Sequence, residues 1–112
     1  MNVELINPGD LDRRITIIRP YRSTGAKGQE IVDRRPLAER WASVDIDAND
    51  EDLEDGNVRS IHWIDVTMYQ LPIMQTGDEV EFDGRRYNIM SINEVRMTPF
   101  IKFRAREVLR YD

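Results

Sequence analysis

Cysteine is absent from this 112-residue chain, and histidine occurs once, as His62. Without thiols there is no disulfide framework and no thiolate site, and the redox compartment stays open. A single histidine inside a strand-like pattern is more often a packed or surface residue than a base, and nothing near it in sequence completes a triad. Glycine is sparse at six residues, and Gly25 and Gly28 lack the Gly-Lys-Ser/Thr ending of a phosphate loop. No apolar run is long enough to cross a bilayer. The opening Met-Asn-Val-Glu-Leu-Ile lacks the basic flank and apolar core of a signal peptide, so folding in a cytoplasm is expected. Positive charge is not in excess either: the net charge of −5 argues against a dedicated nucleic-acid binder, which would carry a basic face.

What is present suits a single domain spanning residues 1–112. A chain of this length buries roughly 65% of its unfolded surface. Charged residues at 33% and hydrophobic ones at 40% fit a core with a well-solvated exterior. The charge is unevenly spread. Residues 45–55 hold seven acids and no base, which leaves the rest of the chain near +2, an acidic segment on a nearly neutral body. Asp45-x-Asp47-x-Asn49 opens like a calcium loop, but Asp50 and Gly56 stand where that loop needs its turn glycine and its bidentate glutamate. No catalytic residue, metal ligand or cofactor is therefore expected.

Alternation with a period of two dominates the chain. Arg14–Arg19 reads as a first strand and Arg22–Gly28 as a loop. Gln29–Arg34 reads as a short strand ended by Pro36. Trp41–Ile46 alternates, with Ala42, Val44 and Ile46 on one face. Ser60–Tyr69 places His62, Ile64, Val66 and Met68 together. Leu71–Asp78 is a loop. Glu79–Phe82 and Arg85–Met90 flank Asp83-Gly84, the signature of a two-residue type I′ hairpin. That turn sets Phe82 opposite Arg85, Glu81 opposite Arg86 and Val80 opposite Tyr87. Phe100–Val108 reads as the last strand. The pattern predicts an all-β fold, a small six- to seven-stranded antiparallel β-barrel with long loops. Its core is expected to gather Ile15, Ile17, Val44, Ile64, Val66, Val80, Phe82, Ile89 and Phe103.

Between Gly9 and Pro20 the chain supplies Gly9, Leu11, Arg14, Ile15, Thr16, Ile17, Arg19 and Pro20 in the register Gly-x-Leu-x-x-Arg-Ile-Thr-Ile-x-Arg-Pro. Trp41-Ala42-Ser43-Val44, the run Ile64–Tyr69, the segment Gly77–Val80 with its Asp83–Ile89 hairpin, and Glu107-Val108 follow in order. Together these segments resemble the head–tail joining proteins (adaptors and head-closure stoppers) of long-tailed phages. Asp65, Met68 and the acidic 47–55 segment depart from that pattern. The resemblance implies a non-enzymatic virion protein of the head–tail connector, encoded by a phage or prophage and assembled in the host bacterial cytoplasm. It implies a barrel that docks as a homo-oligomeric ring, dodecameric in such proteins, against a portal or adaptor ring. That ring would extend or close the DNA channel without sequence-specific contact, and would offer a platform to tail proteins.

Candidate functional residues fall into two groups. Asp47, Asp50, Glu51, Asp52, Glu54 and Asp55 form a candidate channel or gating loop, since like charges with Leu53 as the one sizeable apolar residue do not order themselves. Arg14, Arg19, Trp41, Trp63, Tyr69, Arg85 and Arg86 are candidate interface residues, because Arg, Trp and Tyr dominate interface energetics. The alternative is a small OB-like barrel that binds single-stranded nucleic acid, with Trp63, Tyr69 and Phe100 as stacking platforms.

Overall fold

Every strand of the fold is short of a core of its own, and six of them close a single sheet to make one. The structure, a computed structural model, describes residues 6–54 and 57–108, with side chains described outside 48–61. The strands are β1 Arg13–Thr24, β2 Glu30–Glu54, β3 Asn57–Tyr69, β4 Glu79–Phe82, β5 Arg85–Glu94 and β6 Phe100–Glu107, after a 3-10 turn at Pro8–Asp10. All pairings are antiparallel, in the order β1-β2-β3-β6-β5-β4, and β4 returns to β1 to complete a closed barrel. That closing contact is brief: Thr16, Ile17 and Ile18 face Glu81, Val80 and Glu79.

The period-two pattern sends alternate side chains inward. Ile15 and Ile17, Ile64, Val66 and Met68, Val80 and Phe82, Tyr87 and Ile89, and Ile101, Phe103 and Ala105 form one buried cluster with Ala42 and Met74. Eight of the nine expected core residues lie in it, and Val44 packs against it half-buried. The Asp83-Gly84 hairpin has the expected register. Asp83 at φ 52° and Gly84 at φ 75° supply the two left-handed residues that a type I′ turn requires. A second, smaller cluster lies on the outside of the barrel. There Leu11 packs with Val95 and Phe100, and Ile6 leans against them.

Three expectations need correction. The segment Arg22–Gly28 is not all loop, since β1 continues to Thr24 and pairs rung by rung with 30–35. Pro36 does not end a strand: β2 is one continuous element of 25 residues. Ile17 faces Ala38 while Ile18 faces Pro36, so Leu37 is an extra residue, a β-bulge. A bulge is one of the few places where a strand tolerates proline, and here it turns Leu37 onto the core. The acidic segment is the third correction. Its backbone runs as strand to Glu54, with rungs from Asp50–Ile61 to Glu54–Asn57. Backbone pairing with β3 orders a segment whose composition alone would not.

The long loops of the sequence reading are thus largely paired ribbons. One is made by Arg19–Thr24 of β1 with the first residues of β2. The other, the arm, is made by the last residues of β2 with the start of β3. They leave from opposite ends of β2, and the molecule measures 54 × 37 × 25 Å along its principal axes.

Candidate functional site

Outward positions on β1, β2, β3 and β6 carry an aromatic strip. Arg14 faces Trp41 across the β1–β2 ladder, and its guanidinium lies 5.2 Å from the centre of the Trp41 ring while bonding Glu39 at 2.9 Å. Two residues on from the Ser43–Thr67 rung, Trp41 and Tyr69 emerge on the same outer face. Tyr69 stacks on Phe100 with ring centroids 4.6 Å apart. Trp41 is 54% exposed and Tyr69 46%, so the strip presents large apolar area held by a cation and a buried ring.

Nearer the root of the arm, Trp63 is flanked by two guanidiniums, Arg104 at 4.8 Å and Arg106 at 5.9 Å from its ring centre. Arg104 also reaches Asp65 at 3.3 Å and Asp47 at 3.6 Å. Beside them His62 contacts Arg85, and Glu107 lies 3.5 Å from His62 and 3.7 Å from Arg85. Arg104 and Arg85 thus face carboxylates rather than an open groove.

Two neighbouring carboxylates, Asp78 and Glu79, are buried. Asp78 accepts from Arg19 Nε at 2.8 Å, Arg19 Nη2 at 2.9 Å and the Gln75 amide at 2.9 Å, and Arg19 Nη2 also donates to the Ile73 carbonyl at 2.6 Å. The hydrogen bond to Asp78 holds the Arg19 guanidinium above its ordinary pKa, against the desolvation that would lower it. Glu79 takes Arg34 Nε at 3.1 Å, with Arg86 Nε at 3.5 Å. Buried charges persist only where such partners surround them.

The candidate interface residues therefore separate. Arg14, Trp41 and Tyr69 share the strip; Trp63 and Arg85 lie in the two clusters near the arm. Arg19 and Arg86 are held by internal acids, and Arg86 reaches Glu79 although Glu81 is its rung partner. Of the acidic group, Asp47 pairs with Arg104. The side chains of Asp50, Glu51, Asp52 and Glu54 lie outside the described residues, as does Asp55 entirely. Sequence reasoning missed Asp78 and Glu79, whose signal was two adjacent acids between a glycine and a strand. Among the described residues no cluster of histidine, aspartate or glutamate could hold a metal ion.

A closed barrel with two projecting ribbons and an aromatic outer strip defines a class: a small β protein whose working parts are surfaces. A family model for phage head completion protein matches residues 6–108, and the chain belongs to that family. It is a structural protein of the virion. A chain from the structure described as "Virion of native gene transfer agent (GTA) particle" matches with a TM-score of 0.69 at 16% identity, over 88% of this chain and 96% of that one; this likeness speaks to the fold. A search of the curated proteins found no match.

Proposed function

We propose that the protein completes the head by docking as a ring beneath the portal or its adaptor, where it continues the DNA channel and gives the tail a platform. The observation that carries this reading is a closed barrel with paired ribbons at both ends of one strand, in a chain of the head completion family. Closure removes most strand edges from solvent, so the barrel survives as a rigid block while its extensions contact neighbours. The strip of Arg14, Trp41 and Tyr69 is the docking surface that this reading favours, because amphipathic aromatics with a nearby cation make strong anchors. Assembly takes place in the host cytoplasm and the product resides at the head–tail connector.

Electron microscopy of the protein mixed with its own portal and adaptor tests this. Ring-shaped density beneath the portal complex is expected, and Trp41→Ala with Tyr69→Ala should weaken docking at least tenfold without unfolding the barrel. A protein that never enters the complex, and is absent from purified particles, would overturn the reading.

A further inference from the structure

β3 runs from the arm to Tyr69, and β6 begins beside Tyr69 at Phe100. At that end of the barrel, away from the arm, a groove of about 240 Å³ opens between the 70–74 segment and the last residues of β5. Leu71, Pro72, Met74, Ile92 and Ile101 give it an apolar lining, and Glu94 stands in its wall. Small-molecule pockets begin at roughly 300 Å³, so this groove suits one or two side chains of a protein neighbour instead. Two large apolar side chains stand out beside it. Ile73, 55% exposed, belongs to one wall, and Met97, 74% exposed, belongs to the turn that follows the other.

Neither is exposed because its backbone is slack. The Ile73 carbonyl accepts from Arg19 Nη2 at 2.6 Å, and the same nitrogen is held by Asp78. The Met74 amide closes a turn on the Leu71 carbonyl at 2.9 Å. Met97 has φ 65°, in the left-handed region that side-chain-bearing residues other than Asn and Asp rarely adopt. The turn around it is locked. Thr98 donates to the Val95 carbonyl through its amide at 3.2 Å and its hydroxyl at 2.9 Å. The Val95 amide donates to the Phe100 carbonyl at 3.1 Å, and the Phe100 amide to the Thr98 hydroxyl oxygen at 3.2 Å. Val95 and Phe100 are in turn packed against Leu11. A strained backbone held in place to present an exposed apolar side chain points to a binding surface. Anchors fixed in advance also lose little entropy on docking.

We propose that this end of the barrel receives a segment of the tail-side neighbour in the virion, one that presents an aliphatic or aromatic anchor beside a lysine or arginine. The anchor fills the groove between Leu71 and Ile101, with Ile73 and Met97 adding apolar contact at its rim. The basic group meets Glu94, an exposed carboxylate with no ion pair among the described residues. A second copy offering the same surface would set Glu94 against Glu94, which disfavours that occupant. The inference rests on the reading of the chain as a connector subunit, with the Arg14–Trp41–Tyr69 strip turned to the portal side.

Full-length variants test it in heads completed with the protein and then mixed with tails. Met97→Gly relieves the left-handed backbone while removing the side chain, so it should melt no lower than the parent and yet reduce tail joining about tenfold. Ile73→Asp, at an exposed position, should reduce joining at least as much, and Glu94→Lys should reduce it more than Glu94→Gln does. Joining at the parental rate by the Met97→Gly and Ile73→Asp heads would overturn the inference. Loss of these folded variants from heads before tails are added would overturn it too, because the surface would then face the portal. A photo-crosslinking amino acid in place of Met97 should label a tail protein; label on the portal, the adaptor or a second copy would count against the proposal equally. A parent chain absent from completed heads would instead bring down the connector reading, and this inference with it.

Discussion

Asp78 sits where the 71–78 loop meets β4, and three donors converge on its carboxylate: two from Arg19 and the Gln75 amide. Taking that carboxylate away leaves the Arg19 guanidinium and a loop amide without their acceptor. Asp78→Ala should therefore cost about 3 kcal/mol in chemical denaturation, the scale of breaking one side of a buried ion pair. A loss below about 1 kcal/mol would mean that solvent already serves Arg19. Gly84 poses a different residue-scale question. Its φ of 75° is open to glycine and resisted by β-branched side chains, while nothing crowds the position where a Cβ would stand. Gly84→Val should thus destabilise by about 1–2 kcal/mol through backbone conformation alone, and Gly84→Asn by clearly less; comparing the two melting curves checks the cause.

Among the elements, β2 shows where sequence reading succeeds and where it stops. The β4–β5 hairpin was legible to the rung because Asp-Gly dictates a turn type and the turn type dictates register. The core face of β3 was legible because Ile64, Val66 and Met68 alternate without interruption. β2 was not, for two physical reasons. Pro36 is a stop signal unless a bulge accommodates it, and the bulge depends on β1 lying alongside. The acids after Asp47 read as loop because strand order there comes from β3, a partner distant in composition from what they would choose. Of the candidate interface residues, Trp41 and Tyr69 surface together, while Arg19 is an internal clamp on Asp78 that its residue type could not announce. The ribbons have their own consequence at this scale. Residues near the tip of the β1–β2 ribbon touch neither hydrophobic cluster, so replacing Ser23–Ile31 by Asn-Gly, which joins Arg22 to Val32, should leave the melting temperature within about 2 °C. A larger drop would show that the ribbon braces the barrel.

For the whole molecule, alkaline stability has a defined direction. Burial raises the Tyr87 phenol above its ordinary pKa, and Glu107 pushes it the same way, so the fold favours the neutral ring. The unfolded chain ionises that phenol near pH 10. The associated stability is complete below about pH 10 and is lost as pH rises through the folded-state value. Melting temperature should be level from about pH 7 to 9 and fall beyond about pH 10, and Tyr87→Phe should lessen the fall.

The shortness of the β4–β1 contact carries a mechanical meaning. Three rungs close the barrel there, against four in the β4–β5 hairpin and seven or more in each other ladder, so this seam is the zip by which the cylinder would open into a flat sheet. The carboxylates of Asp78 and Glu79 stand at its upper end, riveted to Arg19 of β1 and to Arg34 of β2. Any load that pulls the cylinder apart would reach this joint first, and these rivets place two buried, ion-paired carboxylates beside the joint with the fewest stitches.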